Sequence, residues 1–416
     1  MRIGVYIGGE SPRGGAFQYA LTLIASLNMM EKSNDEYVIF KASKKLELPG
    51  NIIGSSAVIN LPEDNALSKV LGRFTETSKY LINRYNLTLK VNLPRKYKLK
   101  YNKKLRDFFV KNKIELMIYP STEVVSFEST VPYIIAIHDV QHRRHPEFPE
   151  VGSQEERNFR EYVFTNAADN ALSILVDSDV GKEDIINEYH VEAEKIKVLP
   201  FVADPMYSAE IPPEKKDSVK KQYGLPDEYL FYPAQFFPHK NHINIIKALD
   251  LLKREHNLEI PAVFIGPKKE KWGEFDKVFK LVSDLELDRQ VLYSGYVETE
   301  DIPVLYSMAK ALVMPTFFGP TNIPPLEAFA VGCPVVASNI RGMREQIGDA
   351  GLLFDPDNPA ELANAVYDIW TDNELRTQLI ERGYQKTKEW IIEDFSRELG
   401  SIIDECKRYL QEKQVK

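Results

Sequence analysis

The chain has little cysteine: only Cys333 and Cys406 in 416 residues, far apart and without metal-ligand spacing. That excludes a disulfide framework and fits a reducing compartment. No apolar run approaches the ~20 residues that a membrane helix needs. The opening Met1-Arg2-Ile3-Gly4-Val5-Tyr6-Ile7 lacks the n-region and cleavage site of a signal peptide and reads as a strand. A cytoplasmic protein is therefore expected. Net positive charge is also missing: 53 Lys and Arg against 61 Asp and Glu leave −8, which argues against a nucleic-acid partner.

The acidic balance is uneven. Between Lys69 and Lys113 there are 14 Lys or Arg against only Glu76 and Asp107. Tyr80, Tyr85, Leu87, Leu89, Val91, Leu93, Tyr97, Leu99 and Tyr101 are interleaved with them. Two readings stand. One is a peripheral patch for an anionic membrane, where each basic residue near the surface contributes about 1 kcal/mol. The other is a solvated helix pair with basic outer faces.

A chain of this length exceeds one ordinary core, so two domains are expected. Short apolar runs alternate with helical patterns from end to end. The first half offers Ile3–Ile7, Tyr37–Phe40, Glu115–Tyr119, Tyr133–Ile137, Leu172–Val176 and Lys197–Leu199. The second offers Tyr229–Tyr232, Ala262–Ile265, Val291–Tyr293, Ala311–Met314, Pro334–Ala337 and Leu352–Phe354. Runs of nearly continuous apolar character fit parallel strands buried on both faces. Between them, Phe17, Leu21, Ile24 and Leu27 share one helical face, as do Ile245, Leu249 and Leu252. The pattern predicts an α/β doubly wound architecture. The polar stretch Ser208–Asp217 marks the boundary, giving an N-terminal domain 1–205, a C-terminal domain 206–390 and a final helix 391–416. A ligand cleft between the carboxyl ends of the two sheets follows.

The sharpest motif follows the run Ala311–Met314: Pro315-Thr316-Phe317-Phe318-Gly319-Pro320-Thr321-Asn322-Ile323-Pro324-Pro325-Leu326-Glu327. Two prolines suit a helix start. Free N–H groups of Asn322, Ile323 and the first turn would face the cleft as an anion site suited to a pyrophosphate. Glu327 could then accept hydrogen bonds from a vicinal diol such as a ribose. A rigid proline turn, with Glu327 merely favoured by the helix dipole, explains the same residues. A second motif, Pro233-Ala234-Gln235-Phe236-Phe237-Pro238-His239-Lys240-Asn241-His242, offers Lys240 as a point charge for phosphate, or as an ordinary surface lysine.

Together these segments resemble the family 4 retaining glycosyltransferases of GT-B fold, built from two Rossmann-like domains. Further likenesses are Gly14-Gly15 after the first strand, Ile137-His138-Asp139 with His145-Pro146-Glu147-Phe148, Ser178 through Ile185, and Gly348-Asp349-Ala350-Gly351 with Phe354-Asp355-Pro356. The Phe-Gly-Pro-Thr-Asn-Ile-Pro variant is similar to bacterial surface-polysaccharide mannosyl- and hexosyltransferases. The resemblance implies a hexose moved from a GDP- or UDP-linked sugar to a glycan or polyprenyl-linked acceptor with net retention. It implies no cofactor and no metal. Lys240 would neutralise the donor diphosphate, Glu327 would hold the ribose, and Gly14 and Gly15 would admit the diphosphate from the N-terminal domain. His138 would contact the donor sugar or the acceptor, with Asp139 on the acceptor side, and Tyr296 and Val297 would flank the base. Two positions depart from the pattern: Gly319 stands where an acid usually contacts the transferred sugar, and Gln235 where a donor-side basic residue is common. Thr321, Asn322 and Ile323 are then expected to supply polar contacts to the donor.

Three rivals remain open. A metal-dependent GT-A transferase would use Asp177-Ser178-Asp179, which otherwise reads as a helix cap. A same-fold nucleotide-sugar epimerase or hydrolase is the second. A non-catalytic sugar-nucleotide-binding paralogue, suggested by Gly319, is the third. Localisation at the inner face of the plasma membrane depends on segment 69–113.

Overall fold

The computed structural model describes residues 1–8, 14–30, 35–50, 54, 56–61, 102–268 and 271–415. Most of the basic segment, 69–101, lies outside the described residues. Its last part forms the helix Lys103–Lys111, capped by Asn102, whose side chain accepts the Leu105 N–H. Leu105 and Phe109 are buried while Val110 on the same helix is exposed.

Two parallel sheets carry the fold. The first holds β1 (Arg2–Ile7), β2 (Glu36–Lys41), β3 (Ala57–Asn60), β4 (Leu116–Tyr119), β5 (Tyr133–Ala136), β6 (Ser173–Val176) and β7 (Ile196–Val198), in the order 3-2-1-4-5-6-7. The second holds β8 (Leu230–Pro233), β9 (Ala262–Ile265), β10 (Val291–Gly295), β11 (Ala311–Met314), β12 (Val335–Ser338) and β13 (Gly351–Phe354), in the order 10-9-8-11-12-13. Every residue of β4, β5, β6, β9, β11 and β12 is buried, as continuous apolar runs require when helices cover both faces. Val5 sits opposite Ile39 on one side and Ile118 on the other, so β1 is central. β3 answers to none of the runs read from the sequence. It is an edge strand with Val58 exposed, and half-exposed edges carry no continuous apolar signal.

The order of strands reverses direction between β1 and β4 in the first sheet, and between β8 and β11 in the second. At such switch points the loops leave on opposite faces and open a crevice at the carboxyl ends. Both sequence motifs lie there: the Lys240 loop follows β8 and the Asn322 loop follows β11.

The last helix, Ile392–Val415, belongs to the first sheet in packing terms. Phe395, Leu399, Ile402, Ile403 and Cys406 fall on one stripe and join Ile3, Val5, Leu23 and Ile24 in a single buried cluster. Ser396 donates its hydroxyl to Ser26 O at 2.8 Å, and Lys407 pairs with the buried Asp35 at 2.7 Å. The preceding helix, Asn373–Glu389, lies on the second sheet's side, against Ile323–Ala330. Trp390 breaks the helix between the two, with its indole N–H on Pro200 O at 3.1 Å.

Truncating Phe395, which is fully buried, is expected to cost about 3–5 kcal/mol. Urea unfolding of Phe395→Ala measures it; a loss under 1 kcal/mol would mean the last helix is not part of the N-terminal core.

Candidate functional site

The loops after β8 and β11 are joined through one carbonyl. His239 O accepts the Phe317 N–H at 2.8 Å and the Thr316 hydroxyl at 3.2 Å. Asn241, in the left-handed region at φ 56°, gives its side-chain N–H groups to Pro315 O at 3.1 Å and Pro356 O at 2.9 Å. Lys240 is thereby fixed by its backbone, its own carbonyl accepting the Tyr232 hydroxyl at 3.0 Å. Its half-buried ammonium has no hydrogen bond or ion pair among the described residues. Burial pushes it down to about 8, while the nearby carboxylates Glu150 and Asp139 favour the charged form.

Glu327 lies on the helix Ile323–Ala330, one turn from its start. The Tyr306 hydroxyl donates to Oε2 at 2.9 Å, and Tyr207 also donates to the carboxylate. Burial nevertheless pushes Glu327 up to about 7, with the like charge of Asp204 adding to the rise. Asp204 in turn accepts Gln18 Nε2 from the N-terminal domain at 2.5 Å.

The start of this helix differs from the expectation of several free N–H groups. Pro324 and Pro325 remove two donors, and the Asn322 N–H is bonded to Gln346 Oε1 at 2.9 Å. Gln346 also donates to Asn322 O at 2.6 Å. Among the first-turn groups the Ile323 N–H is left for a ligand. A second helix start faces it: Gly14, at φ 89°, caps Gly15–Asn28, and a Cβ on Gly15 would lie 3.3 Å from Ile323 Cδ1. The N–H groups of Phe17 and Gln18 both return to Gly14 O, and those of Gly15 and Ala16, at the helix start, meet no acceptor among the described residues.

The first domain contributes the ends of β5 and β6. His138 Nε2 donates to Pro120 O at 2.9 Å, and Tyr19 meets its ring edge-on at 4.9 Å. Burial lowers its pKa, so the ring is neutral at pH 7 with Nδ1 as an acceptor. Asp139 Oδ1 accepts the Gln141 N–H at 2.9 Å and pairs with Arg160 at 3.2 Å. Asp177 accepts the Thr321 hydroxyl across the cleft; burial, against that bond, pushes its carboxyl up to about 7. Ser178 caps the helix Asp179–Tyr189 through the Gly181 N–H at 3.1 Å, and Asp179 is exposed in the first turn. Asp177-Ser178-Asp179 is thus a cap and a cross-domain contact, with its two carboxylates in different surroundings.

Other predicted positions fall differently. Gln235 is exposed, and Tyr296 is exposed at the end of β10 with its hydroxyl on Glu298 at 3.3 Å. The Val297 side chain is in the C-terminal core, so only its backbone reaches the cleft side. The Thr321 hydroxyl is spent on Asp177, and the Asn322 amide on Gly319 O at 3.4 Å and Met343 Sδ at 3.3 Å. Gly319 has φ 129°, and a Cβ there would come 2.7 Å from Asn322 Nδ2, so the loop geometry itself excludes an acid at that position.

The cross-domain pairings of these loops were not read from the sequence, although His145, Asp184, His239 and Phe318 lie within the segments quoted above. Glu150 accepts both the N–H and Nδ1 of His239, and Asp184 bridges Arg144 of its own domain to Arg341 of the other. Phe318 stacks on His239 at 4.0 Å and 12°, with His145 at 5.4 Å on it as well. Only the local turn chemistry of the 145–150 segment, Pro and aromatic residues beside acids, could have pointed to them.

Residues 214–386 match the family described as glycosyl transferases group 1. The match lies within the part of the chain that carries the second sheet. The chain is 28% identical over 242 residues to O-antigen chain mannosyltransferase B of Escherichia coli, covering 58% of this chain and 63% of that protein. It is 26% identical over 253 residues to O-antigen chain mannosyltransferase RfbU of Salmonella typhimurium, covering 59% and 64%. The matched region thus spans under two thirds of these relatives' own length. Among solved structures, HepE of Anabaena in complex with UDP-glucose superimposes with a TM-score of 0.70 at 16% identity, covering 97% of this chain and 100% of that one. WaaG, a glycosyltransferase involved in lipopolysaccharide biosynthesis, gives 0.68 at 16%, covering 96% and 99%. The fold is GT-B.

The raised carboxyl of Glu327 has a signed consequence for this domain. Between about pH 4.5 and 7 the folded chain keeps a proton on Glu327 that the unfolded chain has released, so its contribution to stability falls as pH rises through that window. Asp177 acts in the same sense from about 3.8 to 7. Glu327→Gln is expected to flatten part of this fall and to melt a few degrees above the unsubstituted protein at pH 8. Parallel pH profiles in thermal unfolding would show that the carboxylate ionises without penalty.

Proposed function

We propose that the chain is a retaining glycosyltransferase that moves a hexose, of mannose type, from a nucleoside diphosphate sugar to a glycan or polyprenyl-linked acceptor in polysaccharide biosynthesis. One observation carries this reading. In a group 1 glycosyltransferase domain, an unpaired Lys240 and the helix that bears Glu327 meet at the switch point of the second sheet. The O-antigen mannosyltransferases of the two enterobacteria support the mannose donor and glycan acceptor, and the UDP-glucose complex of HepE supports a nucleotide-sugar donor.

In this reading Lys240 takes the diphosphate as a point charge, and the N–H groups of Gly15, Ala16 and Ile323 from two facing helix starts complete the anion site. Glu327 keeps acceptor capacity for the ribose hydroxyls beyond its tyrosine bonds. The C1–O bond of the donor breaks and the electron pair leaves with the diphosphate. The acceptor hydroxyl attacks from the same face and passes its proton to an oxygen of the departing diphosphate, so configuration is retained. Charge on the leaving group is stabilised by Lys240 and the helix starts, with no protein nucleophile and no metal required. Neutral His138 accepts a hydroxyl of sugar or acceptor at Nδ1.

A thermal-shift and calorimetric panel of UDP, GDP, dTDP and CMP, run in EDTA, tests the donor site. One nucleotide is expected to bind, and Lys240→Ala to weaken it about 10–100-fold through loss of a charge-assisted contact. Because Lys240 loses its proton above about pH 8, affinity should fall beyond that point in the unsubstituted protein and stay level in Lys240→Arg. Affinity indifferent to Lys240 would overturn the assignment.

No helix among the described residues is long and apolar enough to cross a membrane. We propose that the basic segment 69–113 rests on the anionic inner face of the plasma membrane, where a polyprenyl-linked acceptor is available. Flotation with anionic vesicles at low salt is expected to carry the protein upward, and salt to release it; no flotation removes the membrane from the proposal.

A further inference from the structure

Two groups of opposite charge influence each other at the domain interface, each with an atom that has no hydrogen-bond partner among the described residues. The Lys240 ammonium is one. The other is Glu150 Oε2, which is buried with no hydrogen-bond partner, although the opposite oxygen accepts the His239 N–H at 2.9 Å and also Nδ1 of that ring. The Glu150 side chain is 4% exposed. It reaches the second domain from the short helix Pro149–Gly152, whose turn is held tightly: a Cβ on Gly152 would lie 1.9 Å from Pro146 O. Burial pushes the Glu150 carboxyl up, but the His239 bonds outweigh it and hold it below the usual range, so it is an anion at neutral pH. His239 is pushed down to about 4 by burial and donates as the neutral ring.

We infer that Glu150 is a specificity-determining residue whose free oxygen accepts a hydroxyl of the transferred sugar, next to the phosphate held by Lys240. The inference rests on the reading of Lys240 as the diphosphate ligand. A phosphate alone would satisfy the ammonium but be repelled by the carboxylate. A polyol alone would satisfy the carboxylate and leave the ammonium unpaired. A ligand with a hydroxyl beside a phosphate satisfies both, and the hexosyl end of a nucleotide sugar is that ligand. The loop after β11 offers no competing carboxylate, because the backbone at Gly319 forbids a side chain. Glu150 and His239 belong to different domains, so opening the cleft exposes the oxygen and closure on the ligand buries it again.

Isothermal titration of the full chain separates the two readings, using UDP, GDP and their glucose, galactose, N-acetylglucosamine and mannose conjugates. The unsubstituted protein is expected to bind one conjugate more tightly than its parent diphosphate. Glu150→Gln keeps an acceptor oxygen for His239; it should bind the diphosphate normally and the conjugate about tenfold more weakly. Glu150→Asp, which withdraws the carboxylate by one methylene, should show the same split. His239→Asn, which removes the ring that binds Glu150 and stacks on Phe318, should weaken both ligands alike. An equal loss on diphosphate and conjugate in both Glu150 variants reduces Glu150 to a strut and overturns the inference, as does no loss at all. If the unsubstituted protein binds a diphosphate but gains nothing from any sugar, the inference fails and the donor-site reading stands. If it binds no nucleotide, both fail.

Discussion

The carbonyl of His239 is the junction on which the cleft depends. By accepting from Phe317 and Thr316 it ties the loop after β8 to the loop after β11, across the point where the second sheet changes direction. The Asn241 side chain, donating to Pro315 O at 3.1 Å, is the second tie between the same loops. With both, Lys240 and the start of the Glu327 helix become one rigid surface. The same residue then faces the other domain: its N–H and ring engage Glu150, and its ring stacks on Phe318. One backbone oxygen and one side chain thus couple the donor-side loops to each other and to the opposite domain.

Unpaired charge follows from that rigidity. Lys240 is anchored at its backbone, and its ammonium makes no hydrogen bond or ion pair among the described residues. Glu327 and Asp177 are likewise held near neutrality at the edge of titration by burial. Such groups are stabilised by a ligand more than by the protein, which is what preorganisation at a charged substrate demands. The cost is carried by the apolar clusters of the two domains.

Most strands were legible because continuous apolar runs announce buried parallel strands wherever helices cover both faces; their order in each sheet was not. Only the edge strand Ala57–Asn60 escaped, since an exposed edge needs no such run. Lys240, Glu327 and Gly15 were legible because turn and helix-start chemistry is local in sequence. Glu150, Asp184 and Gln346 were not, because each acts through a partner more than twenty residues away, and nothing in its own neighbourhood records that distance. The same limit explains Asn322: a proline-rich helix start suggests free donors, yet Gln346 in a later helix takes the one that mattered.

The two seams between the domains differ in kind, and that difference is mechanical. The seam made by the last helix is apolar, with Phe395, Leu399 and Ile402 inside the N-terminal core, so separating it would expose a large hydrophobic stripe to water. The seam across the cleft carries polar pairs, Thr321 to Asp177, Arg341 to Asp184, Glu150 to His239 and Gln18 to Asp204, beside one small aromatic contact of Phe148 and His145 with Phe317 and Phe318. Water competes well for each of those contacts once the cleft opens, so breaking them costs little net free energy. The contacts across the cleft are therefore the more easily separated of the two seams, and the chain crosses back between the domains at Trp390, whose indole N–H is held by Pro200 O. A ligand held by Lys240 and Glu327 of one domain that also reaches the helix start at Gly15 of the other tips this balance toward closure, because only the closed cleft completes both sets of contacts.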